Sequence, residues 1–421
     1  MKRFTAIVLL LSCLVFAASC QSAQAPPSGS TSEDSQSDPP SSTGNGTGDP
    51  DDSDASGDPE EPDLPEEPTT YPLNSNTEGV RILGVRNLAS GTQINCDWSC
   101  SGIELTVDCK GGDIRFQVST RENKPAYFRV WLDGEVWEQS SGEVYYRVGG
   151  SSEIIMREVP AGTHTVRLLK VTGYTLAQAQ LLSVQLNGSI LPEAPAEKEL
   201  YIEFVGDSIT CGWGTIGGHA GAYTDQDGTL AYPYLLAEAL EADYSMTALS
   251  GQGLCYGNPG LTDGYLYDSP YRNSQTESEF GRKADLVVIN IGTNDYSHRS
   301  ELDLTGEEYR QVYLEFLQTV REKNGDDCKI LCLYNAMNDT FASSIVEACS
   351  DMGGAAAGVF SQSLPRAQNN AHPNIDEHAA YAELLLPLVE QILSYEGSPL
   401  ELVESGDGDL DFFDFAQAKE Q

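Results

Sequence analysis

Two hydrophobic patterns follow one another along this chain of 421 residues. Between about residues 79 and 187, apolar and polar positions alternate in short runs, so that every second side chain falls on the same face. The alternation is clearest in GIELTVDC, DIRFQVS, YFRVWLDG, EVYYRV, HTVRLLKV and QLLSVQLNG, and the stretches CKGGD, DGE and PAGT between them are predicted turns. Short strands at this spacing predict an antiparallel β-sandwich at 78–190.

From Leu200 the alternation gives way to longer apolar runs. YIEFVG, YSMTALSG, DLVVINIG, KILCLYNA and AAAGVFS are nearly continuous, as strands buried on both faces of a parallel sheet should be. Helical patterns separate them, in TLAYPYLLAEALEA, TGEEYRQVYLEFLQTVREK, DTFASSIVEACSDM and IDEHAAYAELLLPLVEQILSY. The pattern predicts an α/β domain at 200–396 with a roughly five-stranded parallel sheet. A proline-bearing linker at 191–199 joins it to the sandwich.

Composition adds two acidic segments outside these domains. Between residues 33 and 67 there are thirteen acids and no base, and from residue 396 onward there are eight acids and one base. Because few apolar residues accompany these charges, we predict a disordered linker at 20–77 and a mobile tail at 397–421. Over the whole chain, 64 acidic against 24 basic residues give a net charge of −40, which excludes nucleic-acid binding as the function.

The first nineteen residues have the features of an export signal. Lys2 and Arg3 precede an apolar run over 6–17 that is too short to span a bilayer as a stable helix. The run ends in AASC, which resembles a bacterial lipoprotein signal with Cys20 as the acylated first residue of the mature chain. We therefore expect a signal peptide at 1–19 and a lipid anchor that holds the protein to the cell membrane, facing outside. Ordinary secretion with cleavage after a small residue is the alternative.

Eight cysteines remain beyond the signal peptide and Cys20. Export would place them in an oxidising compartment, but eight cysteines allow 105 pairings and the spacing selects none of them. The C-x-x-x-C pairs at 96/100 and 328/332 have no histidine or second C-x-x-C to complete a zinc pattern, so no metal site is predicted. Several of these cysteines are expected to be small buried hydrophobic residues.

Three short polar motifs fall at the ends of predicted parallel strands, and a fourth precedes the last helix. GDSIT follows the first strand, SGQG the second and GTND the third, and HPN precedes the last helix. The carboxyl ends of parallel strands are where such sheets bind ligands. The motifs bring a hydroxyl nucleophile, backbone N–H groups, a side-chain amide and a base to this edge, which are the parts needed for acyl transfer. Ser208 in the first motif has a second interpretation, because serine at a strand-to-helix junction is also a preferred helix N-cap.

These motifs resemble those of a known family. Gly206-Asp207-Ser208, Gly251, Asn294 and His372 match, in order, the four sequence blocks of the SGNH (GDSL) hydrolases. The sandwich ahead of GDSITCGWG makes residues 79–395 most similar to carbohydrate esterase family 2, in which a jelly-roll domain precedes an SGNH domain. The resemblance implies a three-layer, flavodoxin-like hydrolase domain. It also implies an enzyme, expected to be a monomer, that removes acetyl groups from plant polysaccharides without a cofactor.

The resemblance assigns roles to individual residues. Ser208 would attack the ester carbonyl, and His372 would take the proton of its hydroxyl. The backbone N–H groups of Ser208 and Gly251 and the side-chain amide of Asn294 would hold the oxyanion. The reaction would proceed through an acyl-enzyme that water then hydrolyses.

One position departs from the family pattern. SGNH hydrolases usually carry Asp three residues before the catalytic histidine, and this chain has Asn369 there. An amide accepts a hydrogen bond from the imidazole but adds no negative charge to stabilise its protonated form. Members of carbohydrate esterase family 2 use a Ser–His dyad, so the resemblance implies a dyad here, and an impaired site is the alternative. Asp207 and Asp295 are expected to hold the loops of the site rather than to react.

Aromatic residues favour a carbohydrate substrate, such as acetylated xylan or glucomannan. Trp213, five residues beyond Ser208, is the residue that we expect to contact the substrate. The segment 255–283 adds Tyr256, Tyr265, Tyr267 and Tyr271, for which ordinary loop packing is the alternative. Trp131 and Trp137 of the sandwich could line a sugar-binding face, but core packing is the favoured prediction.

Two other functions fit the same sequence. One is an SGNH lipid esterase, lysophospholipase or thioesterase, which would prefer long-chain to acetyl esters. The other is a carbohydrate-binding surface protein whose catalytic site is impaired, in which an active-site phosphonate would not label Ser208.

Overall fold

The structure is a computed structural model that describes residues 67–395, except 75, 87–90, 218–224, 258–259, 261–263, 268–277, 340 and 369–370. The predicted signal peptide, the lipidation site Cys20, the tail at 397–421 and most of the predicted linker lie outside the described residues, as do Asn369 and Tyr271. In the described part of the chain, no helix is both long and apolar enough to cross a membrane.

The N-terminal part of the described chain is an antiparallel β-sandwich of the jelly-roll type. Its strands are β1 (Thr69–Pro72), β2 (Val80–Leu83), β3 (Ile94–Cys96), β4 (Ser101–Thr120), β5 (Ala126–Leu132), β6 (Glu135–Val136), β7 (Tyr146–Val148), β8 (Ser151–Lys170), β9 (Ala179–Leu186) and β10 (Gly188–Ile190). The main order is β1-β9-β4-β8-β5-β6; β2 and β10 pair with β4, β3 pairs with β9, and β7 pairs with β5.

Two strands of twenty residues each, β4 and β8, pair along most of their length. The stretches CKGGD and PAGT lie inside these strands, so their prediction as turns is wrong. They are neighbours in the sheet, with Lys110 opposite Ala161 and Gly112 opposite Val159, and the register shifts just after Gly112. Gly111 and Gly112 have φ values of +94° and +114°, so the glycines form a bulge that bends the strand instead of reversing it.

The sheet also begins earlier than the predicted boundary at residue 78. Strand β1 lies in the segment predicted to be a disordered linker, and its four residues pair with Leu186 to Ser183 of β9. The Tyr71 hydroxyl donates a hydrogen bond to the Gly188 carbonyl at 3.0 Å. The composition does not reveal this strand because four ordered residues adjoin a much longer acidic segment.

The second sheet is parallel and belongs to a three-layer α/β domain. Its strands are β11 (Tyr201–Gly206), β12 (Asp243–Ala248), β13 (Leu286–Asn290), β14 (Lys329–Tyr334) and β15 (Val359–Ser363). The helices are α1 (Tyr232–Ala239), α2 (Thr293–Ser297), α3 (Gly306–Asn324), α4 (Ala342–Asp351) and α5 (Ile375–Leu393), with 3₁₀ segments at Gly228–Leu230 and Gly354–Ala357. The strand order β12-β11-β13-β14-β15 is the flavodoxin-like order that the resemblance implies.

Successive residues of the buried strands face opposite helix layers. Phe204 of β11 lies in one hydrophobic cluster with Tyr232 of α1 and Leu385 of α5. The next residue, Val205, lies in a second cluster with Phe316 of α3. Because both faces of the sheet are covered, its strands are apolar throughout, which explains the continuous apolar runs in the sequence.

The sandwich packs directly against the α/β domain. Trp131 and Leu169 of the sandwich belong to the same hydrophobic cluster as Phe204, and the Trp131 ring lies 6.4 Å from that of Tyr234. Trp131 is only 8% exposed, so it packs in the core and offers no sugar-binding face. Trp137 is half-buried against the core of the sandwich itself.

Candidate active site

Ser208 lies in the tight turn that follows β11. The strand ends at Gly206, where a side chain would overlap Thr210 and approach the carbonyl oxygen of Asn290 to 2.7 Å. Only glycine therefore fits where the chain leaves the sheet. The turn is held by a hydrogen bond of 2.9 Å from the Trp213 N–H to the Ser208 carbonyl, and Ser208 itself is 4% exposed.

Ser208 and His372 are in hydrogen-bond contact. The Ser208 Oγ lies 2.8 Å from the His372 Nε2. His372 comes from the loop between β15 and α5, and the end of that loop is held by a capping box in which Asn374 and Glu377 bind each other's backbone N–H groups. A ring nitrogen at this distance is placed to take the proton of the hydroxyl, so the structure brings the predicted nucleophile and base together.

Asp207, rather than Ser208, makes the cap-like contact at this turn. The Asp207 Oδ1 accepts a hydrogen bond of 3.0 Å from the Ile209 N–H. Residues 208–217 are all in turns. The helix-cap interpretation of Ser208 therefore does not describe this structure, and its Oγ is directed to His372 instead.

Asn294 links the first three motifs of the site. It lies on the short helix α2 directly after β13, and its Nδ2 donates to the Gln252 carbonyl at 2.9 Å and to the Asp207 Oδ2 at 3.2 Å. The amide thus holds the loop after β12 and the turn after β11 together. Asp207 is fully buried, and this burial raises the pKa of its carboxyl to about 7, with a smaller contribution from the nearby charge of Asp295.

Asp295 holds the loop after β12 by its backbone. Its carboxylate accepts hydrogen bonds of 2.8–2.9 Å from the N–H groups of Leu254, Cys255 and Tyr256. Burial raises the pKa of Asp295, while these three N–H groups oppose the shift by stabilising the carboxylate. Asp207 and Asp295 thus both bind backbone N–H groups of the loops at this edge of the sheet.

Gly251, the predicted second oxyanion donor, lies in the loop after β12. It has a φ of +83°, a left-handed conformation that favours glycine, and a Cβ built there would meet no atom within 4 Å. It is exposed, unlike its neighbour Gln252, which is 4% exposed. Gly251 thus lies at the open edge of the site, in the same loop that Asn294 and Asp295 hold.

Two aromatic features lie beside these groups. The half-buried ring of Trp213 lies 6.5 Å, centre to centre, from the imidazole of His372. The rings of Tyr256 and His298 are stacked at 3.6 Å with only 8° between their planes, and the His298 Nδ1 bonds the Asn294 carbonyl at 2.9 Å. Tyr256 stands out in the sequence as an aromatic residue of the segment 255–283, but its pairing with His298 does not, because a contact between residues of two separate segments leaves no periodic signal.

Three further residues, Tyr265, His378 and His164, make structural contacts. Tyr265 is fully buried, and its hydroxyl donates to Glu203 at 2.7 Å, so loop packing is correct for this residue. His378 is also fully buried: its Nδ1 accepts a hydrogen bond of 3.3 Å from the Tyr232 N–H, and burial lowers its pKa to about 3. His164 pairs with Asp133 in the sandwich.

The eight cysteines beyond Cys20 are free thiols in this structure, and all but Cys255 are buried. Cys211, three residues after the nucleophile, is typical: burial raises the pKa of its thiol to about 12. These residues therefore pack as small hydrophobic side chains, as expected for several of them.

Comparison with known proteins identifies the α/β domain. Residues 204–384 match the model of the GDSL-like lipase/acylhydrolase family. This range contains Ser208, Asn294 and His372, so the residues of the candidate site all lie within the matching region.

Curated relatives match both parts of the chain. The cellulase/esterase CelE of Acetivibrio thermocellus is 27% identical over 345 residues, which are 76% of this chain and 40% of that protein. The chain therefore spans less than half the length of this relative. An acetylxylan esterase/glucomannan deacetylase of Cellvibrio japonicus is 24% identical over 348 residues, 78% of this chain and 92% of that protein.

Solved structures agree with these relatives. A family two carbohydrate esterase from Clostridium thermocellum, solved in complex with cellohexaose, is 26% identical with a TM-score of 0.67, and the match covers 75% of this chain and 99% of that one. A family two carbohydrate esterase from Cellvibrio japonicus has the same fold, with 20% identity, a TM-score of 0.66, and coverage of 78% and 99%. Residues 204–384 thus match the GDSL-like lipase/acylhydrolase family, and the chain is similar in sequence and fold to carbohydrate esterases of family 2.

Proposed function

We propose that this protein is a serine esterase that removes O-acetyl groups from plant-type polysaccharides or their oligosaccharides, such as acetylated xylan and glucomannan. The observation that carries the proposal is the 2.8 Å contact between the Ser208 Oγ and the His372 Nε2, with the Asn294 amide held beside it. An impaired site would not need this alignment of a hydroxyl on a ring nitrogen.

The reaction begins when the Ser208 Oγ attacks the acetyl carbonyl and the His372 Nε2 takes the hydroxyl proton. A C–O bond forms, and the carbonyl oxygen becomes an oxyanion that the Asn294 amide and the N–H groups of Ser208 and Gly251 stabilise. The tetrahedral intermediate collapses as His372 returns the proton to the departing sugar oxygen. Water then attacks the acetyl-enzyme with His372 again as base, and acetate and free Ser208 are formed.

The Asn294 amide has to change partners during this cycle. Its two hydrogens are directed at the Gln252 carbonyl and the Asp207 carboxyl, so the oxyanion must replace or share one of them. The contact with Asp207 is the longer of the two, at 3.2 Å against 2.9 Å. We propose that this hydrogen is the one that turns to the oxyanion.

The proposed mechanism uses a Ser–His dyad without a carboxylate at position 369. Replacing the carboxylate of a Ser–His–Asp triad by an amide costs about 10⁴ in rate, so an enzyme built around such a carboxylate would be severely slowed by Asn369. We predict that Asn369→Asp brings little gain in turnover. A hundredfold rise would instead mean that the site is a damaged triad.

Two features support a sugar substrate. The Trp213 ring lies beside that of His372, and the His298 imidazole, which stacks on Tyr256, bonds the backbone carbonyl of Asn294, so aromatic rings lie close to two residues of the site. Aromatic faces next to polar groups suit sugar rings, which are polar at their edges and apolar on their faces. The relatives also support a sugar substrate, since one is an acetylxylan esterase/glucomannan deacetylase and another was solved with cellohexaose.

The experiment is an acetate-release assay on acetylated xylan, acetylated glucomannan and O-acetylated peptidoglycan, with Ser208→Ala as the inactive control. We expect release from the plant polysaccharides that Ser208→Ala abolishes. A parallel series of 4-nitrophenyl esters should show preference for acetate over long acyl chains. Preference for long chains would support the lipid esterase, and failure of a phosphonate to label Ser208 would support the carbohydrate-binding protein.

We further propose that the enzyme is exported and held to the cell membrane by lipid at Cys20. The support is the sequence alone, with AASC at the end of an apolar run and an acidic segment behind it. Cys20→Ala should move the activity from the membrane fraction to the soluble fraction or the medium. An unchanged membrane fraction would contradict the anchor.

A further inference from the structure

Arg86 is a buried cation that the sandwich contributes to the α/β domain. It lies three residues beyond β2, in a segment that runs along β12, the edge strand of the parallel sheet. Gly84 forms a parallel bridge with Ser245, and the Met246 N–H donates to the Gly84 carbonyl at 3.1 Å. The Arg86 side chain is only 7% exposed. A charge buried to this extent has to be paired and hydrogen-bonded, so its partners show what it holds.

The charge of Arg86 is compensated by Glu203 of β11. The Arg86 Nε lies 2.6 Å from the Glu203 Oε1, and the Tyr265 hydroxyl donates to the other carboxylate oxygen at 2.7 Å. Asn324 of α3 donates to that hydroxyl at 2.9 Å. Burial works to lower the pKa of the guanidinium, but the Glu203 carboxylate outweighs it and the pKa is raised, so Arg86 stays charged. The ion pair uses the Nε, and the two terminal nitrogens reach other acceptors.

These terminal nitrogens bind both ends of the loop that carries Gly251. We call this loop, residues 249–257, the oxyanion loop. Before the chain enters it, the Thr247 Oγ1 accepts from the Arg86 Nη2 at 3.1 Å; after the chain has left it, the Tyr265 carbonyl accepts from the Nη1 at 2.7 Å. Because the guanidinium is planar and its N–H groups have fixed directions, it sets the separation of these two acceptors. Arg86 therefore closes the base of the oxyanion loop.

Aromatic rings hold the guanidinium in this position. It lies 4.5 Å from the centre of the Tyr265 ring and 4.2 Å from that of the Phe280 ring. Both rings are buried, and they belong to the same hydrophobic cluster as Leu254 of the oxyanion loop. A cation over aromatic faces is attracted by their π electrons, most strongly where water is excluded. The rings thus limit the movement of the guanidinium and of the two acceptors that it joins.

The second hold on the oxyanion loop is Asp295, whose carboxylate accepts from the N–H groups of residues 254–256. Gly251 lies between this hold and the base that Arg86 closes. A Cβ built at Gly251 meets no atom within 4 Å, so no side chain packs against this point of the loop. The direction of the Gly251 N–H therefore depends on how the two flanking parts of the chain are held.

We propose that Arg86 is a positioning residue for the ester hydrolysis: by joining Thr247 to Tyr265 it holds the oxyanion loop so that the Gly251 N–H meets the developing oxyanion. The inference rests on the proposed mechanism, in which Gly251 is an oxyanion donor, and it is independent of which glycan is the substrate. It gives the sandwich a part in catalysis that requires no sugar contact, because the side chain that closes the loop follows a sandwich strand.

Arg86→Met tests the bridge, with Arg81→Met as the matched control. Methionine keeps much of the side-chain volume but has no hydrogen-bond donor. Arg81 lies five residues earlier, is 9% exposed, and pairs with Asp243 at the opposite end of β12 from Thr247. Both variants should lower the thermal unfolding temperature. Only Arg86→Met should lower kcat for 4-nitrophenyl acetate, about tenfold, with little change in KM. Equal kcat values in the two variants, or a change in KM alone, would overturn the proposal.

A double variant separates positioning from stability. Arg86→Met leaves the Glu203 carboxylate buried without its cation, which destabilises the fold. Arg86→Met/Glu203→Gln removes both charges, and the new amide oxygen can still accept from the Tyr265 hydroxyl, so the unfolding temperature should largely recover. The kcat should stay about tenfold low, because the bridge is still missing. Recovery of kcat together with stability would show that Arg86 only compensates a charge. If Arg86→Met does not fold, the double variant decides.

Hydrogen exchange tests the bridge without any substrate. Amides of the oxyanion loop, followed by mass spectrometry, should exchange about tenfold faster in the double variant than in the wild type, and at the wild-type rate in Arg81→Met. Unchanged exchange in the double variant would overturn the proposal. If the wild-type protein hydrolyses no ester, the proposed function fails, and the exchange rates alone decide whether Arg86 holds the loop.

Discussion

Ser208 and His372 meet at 2.8 Å although they are 164 residues apart in the chain. The first parallel strand delivers one residue and the loop after the last parallel strand delivers the other. Both lie at the carboxyl edge of the same sheet, which is why a pairing so distant in sequence forms without a local turn. The geometry of the reaction is therefore a consequence of the parallel topology.

Removing either partner of this pair should abolish turnover. Ser208→Ala and His372→Ala should each lower kcat for 4-nitrophenyl acetate by at least about 10³-fold, because the nucleophile and its base act as a unit. The double variant should be no slower than the worse single variant. Ser350→Ala, an exposed serine on α4, is the control and should keep full activity. Losses that multiply in the double variant would show that the two residues act independently.

Asn294→Ala tests the oxyanion donor. Losing one such donor costs about 3–4 kcal/mol of transition-state stabilisation, so kcat should fall about 10²- to 10³-fold. Since the amide is needed mainly when negative charge develops, KM should change little. A rise in KM with an unchanged kcat would instead mean that Asn294 only shapes the binding site through its contacts with Gln252 and Asp207.

The sequence was sufficient for the arrangement of the α/β domain. In the part of the domain that the structure describes, the five strands and four of the five α-helices given above correspond to the apolar runs and helical patterns, because strands buried on both faces leave an unbroken apolar signal. The short helix α2 was not predicted as a helix, since five residues are too few to show a helical period. The sandwich was predicted less well, because glycines at a bulge have the same local signature as glycines at a turn.

Within the site, the motifs predicted which residues meet but not how they are held. The role of Asp295 as acceptor for three consecutive backbone N–H groups follows from the shape of one loop. The stacking of Tyr256 on His298 joins two loops that no repeat or spacing connects.

Gly253→Ala should loosen the oxyanion loop. A Cβ at this position would overlap the Asp295 carboxylate, which cannot move away without losing the N–H groups of Leu254, Cys255 and Tyr256. We expect a lower thermal unfolding temperature together with a kcat reduced at least tenfold. Gly281→Ala is the control, because a Cβ there meets nothing within 4 Å. Full activity in Gly253→Ala would show that this loop does not position the site.

His378 should make the fold sensitive to acid. Burial lowers its pKa to about 3, whereas in the unfolded chain it titrates near 6.5. Between these values the unfolded state binds the extra proton, so stability is lost as the pH falls from 6.5 towards 3, by up to roughly 5 kcal/mol. His378→Phe should be less stable at pH 7, because the Tyr232 N–H loses its acceptor, but its stability should fall less steeply in acid. Denaturant unfolding at pH 7, 5.5 and 4.5 measures both effects, and identical acid slopes would contradict the assignment.

Asp207 should lower the stability of the fold as the pH rises, which is opposite to the effect of His378. Burial raises its pKa to about 7 from 3.8, so between these values the folded state retains a proton that the unfolded state has lost. Stability is then lost as the pH rises from about 4 to 7, by up to roughly 4 kcal/mol. Asp207→Asn removes this loss, so the variant should gain on the wild type between pH 5 and pH 8 in denaturant unfolding. Asp326→Asn, at an exposed aspartate, should run parallel to the wild type.

Asp207→Asn should also be a poor enzyme at every pH. An asparagine that keeps the Ile209 N–H on its carbonyl oxygen turns an NH₂ group towards the Asn294 Nδ2, where the wild type has an acceptor. Two donors then face each other, Asn294 rotates away, and kcat should fall about as far as in Asn294→Ala. Greater stability at pH 8 combined with this loss of kcat is the expected result. Full activity would show that the contact of Asp207 with Asn294 does not position the oxyanion donor.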